Sequence, residues 1–145
     1  MKKFINCLTH ALKLEKEDIP NSELNLWYNS DPFVEISTKC EAVYHRTCRK
    51  VNGVDDLQKG EWLVVFFGFV AIKFDYEGRP EYYDYHFARR ESNGTWTERP
   101  SVYTEIQDVD IDNMISEYAK IGIKPMFLAI GKVDSVQKIK ATKLT

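Results

Sequence analysis

The sequence predicts an α+β domain in which N-terminal helices pack on an antiparallel β-sheet. Before residue 52 apolar residues recur at helical spacing, whereas residues 61–99 are rich in β-branched and aromatic side chains. Asn93-Gly94 separates two of these β-rich runs and is a strong hairpin signal. Because helices and antiparallel strands occupy separate parts of the chain, the pattern is typical of the α+β class.

Length and composition fit one soluble domain spanning residues 1–145. Hydrophobic residues make up 43% of the chain and charged residues 29%, which is close to the average for globular proteins. The formal net charge of −2 provides no basic excess. We therefore expect neither nucleic acid nor a membrane as a partner.

The N-terminus and the cysteine count indicate a cytoplasmic protein. The first apolar stretch is interrupted by Asn6, Thr9 and His10, which makes it too polar for a signal-peptide core. The longest apolar run, residues 62–72, is well short of the roughly 18 residues of a membrane helix. Three cysteines favour free thiols in a reducing compartment. We expect cytoplasmic localisation, or delivery by a route that needs no signal peptide.

The first predicted helix runs from about Cys7 to Glu15. Asn6 is a good N-cap residue, and Leu8 and Leu12 recur at helical spacing. Cys7 then lies in the first turn, where the helix dipole stabilises a thiolate. The alternative is an ordinary buried cysteine.

A second helix is predicted over Thr38–Val51, after an irregular segment at residues 22–36. Glu41 lies three residues after the start of this helix, as in a capping box. Cys40 and Cys48 fall on its apolar face, about 12 Å apart along the axis. Because a disulfide spans at most about 7 Å between Cα atoms, we predict no disulfide.

The rest of the chain alternates strands and turns, with one further helix. The predicted strands are residues 61–75, 82–90, 95–99 and 126–130. The late helix is predicted to start after Asp108 and Asp110, with apolar residues at helical spacing from Ile111, and to stop at Gly122. Gly68 marks a bulge or bend within the first of these strands.

The length of the hairpin loop decides which face of the sheet Glu98 occupies. A two-residue Asn93-Gly94 loop places Thr97 on the face of His86. A three-residue loop that includes Ser92 shifts the pairing by one residue and places Glu98 on that face. The sequence is compatible with both loops.

Two motifs resemble those of a group of small bacterial and phage proteins. Asn6-Cys7-x-x-x-Ala11-Leu12 resembles their N-C-Y-A-Y-A-L, and residues 84–100 resemble their D-Y-H-F-Y-R, glycine turn and W-S-H-K-P. The group looks like a branch of the papain-like (NlpC/P60- and CHAP-like) cysteine peptidase and amidase superfamily. The resemblance is specific at these two motifs.

The resemblance implies a papain-like architecture and a cysteine hydrolase that cleaves an amide or isopeptide bond. Cys7 would attack the carbonyl carbon, and His86 would take the thiol proton and pass it to the leaving amine. Water would then clear the thioester intermediate. Glu98 replaces the family's histidine and would orient the imidazole. We expect the Cys7 sulfur within about 4 Å of a His86 ring nitrogen.

The two residues assigned to the second motif also have ordinary structural interpretations. His86 is alternatively a strand histidine that makes one hydrogen bond. Glu98 is alternatively a surface carboxylate paired with Arg89 or Arg99. Asp84 is the second choice for the residue that orients the imidazole.

No cofactor or metal is predicted. Zinc requires four converging ligands. The available cysteines and histidines are Cys7, His10, Cys40, His45 and Cys48. On the predicted second helix, His45 would lie about 140° from Cys40 by the helical step, and only the His45–Cys48 pair has the i, i+3 spacing of a ligand pair.

The implied substrates are a peptide, a peptidoglycan fragment or a host protein. A different class of function is also compatible with the sequence. In it, a phage- or bacterium-encoded binding or inhibitor protein uses the same fold to grip a host protein without catalysis.

Overall fold

The computed structural model describes residues 6–14, 24, 26, 31–74, 76–77, 80–100 and 104–133. The helices are α1 (Cys7–Ala11), α2 (Pro32–Lys39) and α3 (Ile111–Ala119), with a π-helical turn at Cys40–Tyr44 and a 3-10 turn at Val54–Asp56. The strands are β1 (Arg46–Lys50), β2 (Glu61–Phe74), β3 (Pro80–Arg90), β4 (Trp96–Glu98), β5 (Gln107–Val109) and β6 (Met126–Lys132).

The six strands form one sheet in the order β1-β6-β2-β3-β4-β5. Every neighbouring pair is antiparallel. The predicted combination of a few helices with an antiparallel sheet is confirmed. The last strand, β6, lies between β1 and β2, so both edges of the sheet come from earlier parts of the chain. None of the described helices has the length and apolar character needed to cross a membrane.

Each face of the sheet carries its own hydrophobic cluster. The α1 face is the side on which Phe66 and Phe87 pack with α1 and α2. The α3 face is the side on which Phe67 and Ala88 pack with α3. Successive residues of a strand point to opposite faces, so each side chain of β3 belongs to one cluster or the other.

The helix predicted over Thr38–Val51 is wrong. α2 ends at Lys39, and the π-helical turn that follows is closed by His45 in the left-handed region, at φ 55°. Residues 46–50 then form β1, which pairs with β6. Apolar residues of the helix and of the strand together fitted the helical spacing by chance. The strand forms because it pairs with β6, about 80 residues away, and local spacing carries no information on so distant a partner.

α2 itself begins within the segment predicted to be irregular. Asp31 caps it, accepting hydrogen bonds from the backbone N–H groups of Phe33 and Val34. Pro32 occupies the first turn, where its fixed φ and missing N–H cost nothing.

The revised elements also change the environment of two cysteines. The pKa of the Cys48 thiol is raised well above its ordinary value. The largest cause is a hydrogen bond with Cys40, and the second is burial. The two side chains are therefore neighbours, and the predicted separation along one helix is wrong. All three cysteines are nonetheless free thiols.

The later elements agree closely with prediction. β2, β3, β4, β6 and α3 occur where they were expected, and Asp110 caps α3. A register shift between Gly68 and Val70 confirms the irregularity expected in β2. The short strand β5 was not predicted, because three residues with one apolar side chain carry no detectable period.

Candidate active site

The β3–β4 hairpin has the three-residue loop Ser92-Asn93-Gly94. The Glu91 N–H donates to the Thr95 carbonyl at 2.7 Å, and Gly94 has a φ of 89°. Left-handed backbone at the third loop position is typical of this loop, and glycine adopts it without a steric penalty. The register that this loop sets places Glu98 on the face of His86.

His86 and Glu98 form a close pair. Nε2 of His86 lies 2.5 Å from Oε2 of Glu98, and the two side chains are 14% and 11% exposed. Because a carboxylate is an acceptor, the ring nitrogen that faces it carries the hydrogen. In the neutral imidazole the other nitrogen, Nδ1, is then an acceptor. Glu98 therefore lies where the predicted orienting residue was expected.

Gln107 extends this pair, and sequence analysis missed it. Its Nε2 donates to Oε1 of Glu98 at 2.8 Å, so both carboxylate oxygens of Glu98 have a partner. Gln107 lies on β5, directly across from Glu98. No signal for this strand was present in the sequence, so the third member of the group could not be inferred.

Cys7 occupies the first turn of α1, as predicted. Asn6 Oδ1 accepts from the Thr9 N–H at 3.1 Å, and Thr9 Oγ1 accepts from the Asn6 N–H at 2.7 Å. This reciprocal capping box fixes the start of the helix. Cys7 is 7% exposed and belongs to the core of the α1 face, together with Leu8 and Phe87.

The structure does not bring Cys7 and His86 together. Phe87 packs with Cys7 in the core of the α1 face, and His86 is the next residue on β3, so its side chain points to the α3 face. Its cross-strand partner, Phe67, confirms this orientation, because the Phe67 ring stacks on Tyr118 of α3 at a centroid distance of 4.2 Å. In the described part of the chain no hydrogen bond joins Cys7 to His86. The predicted contact within 4 Å is therefore not formed.

The structural alternative in which Glu98 pairs with Arg89 is not observed, because Arg89 binds elsewhere. The Arg89 guanidinium donates to Glu91 Oε1 at 2.8 Å and to the His10 carbonyl at 2.6 Å. Glu98 is buried against His86 and Gln107 instead. The side chain of Asp84, the second choice, lies outside the described part of the structure.

A second polar network joins α1 to the hairpin on the α1 face. The fully buried His10 ring lies 2.9 Å from Thr97 Oγ1, which in turn donates to Glu91 Oε1 at 2.8 Å. Burial acts to raise the pKa of the Glu91 carboxyl. The hydrogen bonds from Thr97 and Arg89, with the charges of Arg89 and Lys13, outweigh burial and hold that pKa below its ordinary value.

We expect Glu91 to make the fold sensitive to acid. Since its folded pKa lies below its unfolded value near 4.5, its stabilising contribution is complete above that pH and is lost as the pH falls through the folded pKa. Between pH 6 and pH 3, the free energy of unfolding should therefore fall less in Glu91→Gln than in wild type. Urea unfolding at about six pH values across this range measures the difference. Glu117→Gln, at an exposed site on α3, is the matched control. Equal pH profiles for Glu91→Gln and wild type would contradict the assignment.

The α1 face also carries an open cleft of about 480 Å³. It lies between the start of α2 and the loop that joins α3 to β6. Its lining residues are Pro32, Phe66, Gly68, Ile121, Gly122, Ile123, Lys124 and Met126. A methyl group at Gly68 would overlap the Phe66 ring, so the glycine lets that ring lie against the strand. Ile121 at the rim is 62% exposed, which gives the cleft an apolar edge.

Within the described residues, no three histidine, cysteine, aspartate or glutamate side chains are placed to hold a metal ion. Comparisons of the chain with protein-family models, curated proteins and solved structures give no match.

Proposed function

We propose that this chain is a binding protein on the scaffold of a papain-like cysteine hydrolase, and that it grips a partner protein without cleaving it through Cys7. The placement of Cys7 and His86 against opposite faces of the sheet carries this proposal. A general base must lie within hydrogen-bond reach of the thiol that it deprotonates, directly or through one water. A sheet between the two side chains prevents that contact.

The papain-like architecture is part of the proposal and is supported by the two motifs and by the order of the elements. The cleft on the α1 face is the surface that fits a partner best. Its volume is within the range of protein ligand sites, and its lining is mostly apolar. Apolar side chains of a partner protein suit such a lining. We place the protein in the cytoplasm, where reducing conditions keep thiols free.

The second candidate is the cysteine hydrolase that the motifs imply, with Cys7, His86 and Glu98 as its catalytic residues. The hydrogen bond between His86 Nε2 and Glu98 favours it, because this bond leaves Nδ1 to serve as the base. The substrate would be a peptide, a peptidoglycan fragment or a host protein. This function requires α1 to move relative to β3, so that Cys7 reaches His86.

The rate of thiol modification distinguishes the two functions. The binding protein predicts that Cys7 reacts with iodoacetamide more slowly than glutathione does, because Cys7 is buried and His86 lies on the opposite face of the sheet. His86→Ala should leave this rate within about twofold of wild type, since the base does not act on the thiol. Peptide mapping by mass spectrometry after timed labelling gives the rates at Cys7, Cys40 and Cys48 separately.

One control variant makes the labelling result decisive. His45→Asn removes an exposed imidazole outside the candidate site and tolerates the left-handed backbone at this position. It should label as wild type does. Selective labelling of Cys7, at least tenfold faster than glutathione and lost in His86→Ala, would support the hydrolase and exclude the binding protein as the main function.

A further inference from the structure

The group formed by His86, Glu98 and Gln107 has the features of a general base that is independent of Cys7. Gln107 holds one carboxylate oxygen of Glu98, and the other oxygen holds Nε2 of His86. Both contacts are at hydrogen-bond distance, and all three residues come from adjacent strands of one sheet. The imidazole is therefore fixed in orientation and in tautomer, with Nδ1 as its remaining acceptor.

The Nδ1 atom is also placed to meet a small substrate. The described residues form no hydrogen bond with it, and the His86 side chain is 14% exposed. Phe67 lies across from His86 on β2, with Tyr118 of α3 stacked on it. The Phe67 ring is fully buried under Tyr118, so a substrate would approach the imidazole from its solvent-exposed side.

We propose that this group catalyses the hydrolysis of activated acyl esters, with water as the nucleophile. Nδ1 of His86 takes a proton from the water as its oxygen attacks the ester carbonyl carbon. The tetrahedral intermediate breaks its bond to the alcohol oxygen, and the imidazolium returns the proton to that oxygen. One ester and one water give one acid and one alcohol, and the imidazole is regenerated.

Esters of acidic alcohols are the substrate class that this group fits. Their leaving oxygen departs readily, so one base that accepts and returns a proton is sufficient. An amide needs a stronger nucleophile and fuller protonation of its leaving amine, which thiol enzymes supply with a second group. In this activity His86 is the catalytic residue, Glu98 orients it and Gln107 is a positioning residue that acts through Glu98.

Hydrolysis of p-nitrophenyl acetate by the full chain tests the proposal. Wild type should be at least about a hundredfold faster than His86→Ala, which is the low end of the effect of a general base. His86→Asn is a second variant, and circular dichroism of both verifies that they are folded. His45→Asn, which removes an exposed imidazole elsewhere, should retain the wild-type rate. Equal rates for wild type and both His86 variants would overturn the proposal, as would loss of the activity in Cys7→Ala alone.

Gln107→Leu tests the positioning role. It should slow the reaction by about tenfold or more, because a hydrogen bond to an ionised carboxylate is stronger than one between neutral groups. It should also broaden or shift the Nε2–H signal of His86 in imidazole ¹⁵N spectra, which a merely structural role would not change. Asp108→Asn, the adjacent residue of β5 facing the other side of the sheet, is the matched control for both measurements. An unchanged rate and spectrum in Gln107→Leu would overturn the positioning role of Gln107. The role of His86 as the base is tested separately by the two His86 variants.

Discussion

Replacing Arg46 by methionine should lower the free energy of unfolding by about 3 kcal/mol or more. Arg46 is 3% exposed and donates to the carbonyl oxygens of Leu12 at 2.8 Å and Lys13 at 3.2 Å. It also donates to those of Tyr44 at 3.4 Å and His45 at 3.3 Å. Methionine fills the space but donates to none of them, so buried acceptors lose their partners.

The position of these carbonyls increases the expected effect. Lys13 and His45 both adopt left-handed backbone, at φ 56° and 55°, and each ends a helical segment. Such conformations cost about 1 kcal/mol or more for residues other than glycine and persist where surrounding contacts hold them. Arg46 donates to both carbonyls at once, and so fixes the end of α1 to the start of β1.

Urea unfolding followed by circular dichroism measures the change. Arg46→Lys should be intermediate, because one ammonium reaches fewer carbonyls than a guanidinium. Arg49→Met, on the same strand, is the matched control. Its side chain is 39% exposed and pairs with Glu61, so its loss should cost less than that of the buried Arg46. A loss in Arg46→Met no larger than that in Arg49→Met would refute the role of Arg46.

Phe87→Ala should destabilise the fold by about 3 to 5 kcal/mol through a cavity beneath α1. Phe87 is 1% exposed, and its ring lies 5.1 Å from that of Phe66 and 5.8 Å from that of Tyr85. Thermal unfolding measures the loss. Tyr76→Ala, at a residue that is 95% exposed, should change stability by no more than about 0.5 kcal/mol.

The same variant tests whether the two faces are independent. Phe87 and His86 are adjacent on β3 but point to opposite sides of the sheet. In folded Phe87→Ala, the Nε2–H signal of His86 should therefore keep its wild-type shift. A large displacement of that signal would show that the His86–Glu98 pair depends on packing on the α1 face.

The sequence by itself determined the elements that have strong local signals. Asn6 and Asp110 are helix caps that a reader can recognise without a structure, because the cap bonds to its own helix. The β-rich run of residues 61–74 and the glycine of the hairpin are local signals of the same kind. The sequence was compatible with two hairpin loops, one of which has three residues. The three-residue loop places Glu98 on the face of His86, so the sequence predicted this pairing as one of two alternatives.

The tertiary structure decided everything that depends on distant partners. Residues 46–50 became a strand because β6 offers them hydrogen bonds, and Gln107 reached Glu98 because β5 adds to the edge of β4. Alternation along β3 shows that His86 and Phe87 face opposite sides, but it does not say which side α1 will cover. The packing of α1 on the Phe87 side separated Cys7 from His86. That choice is made by the fit between a helix and a whole sheet face, which no short motif encodes.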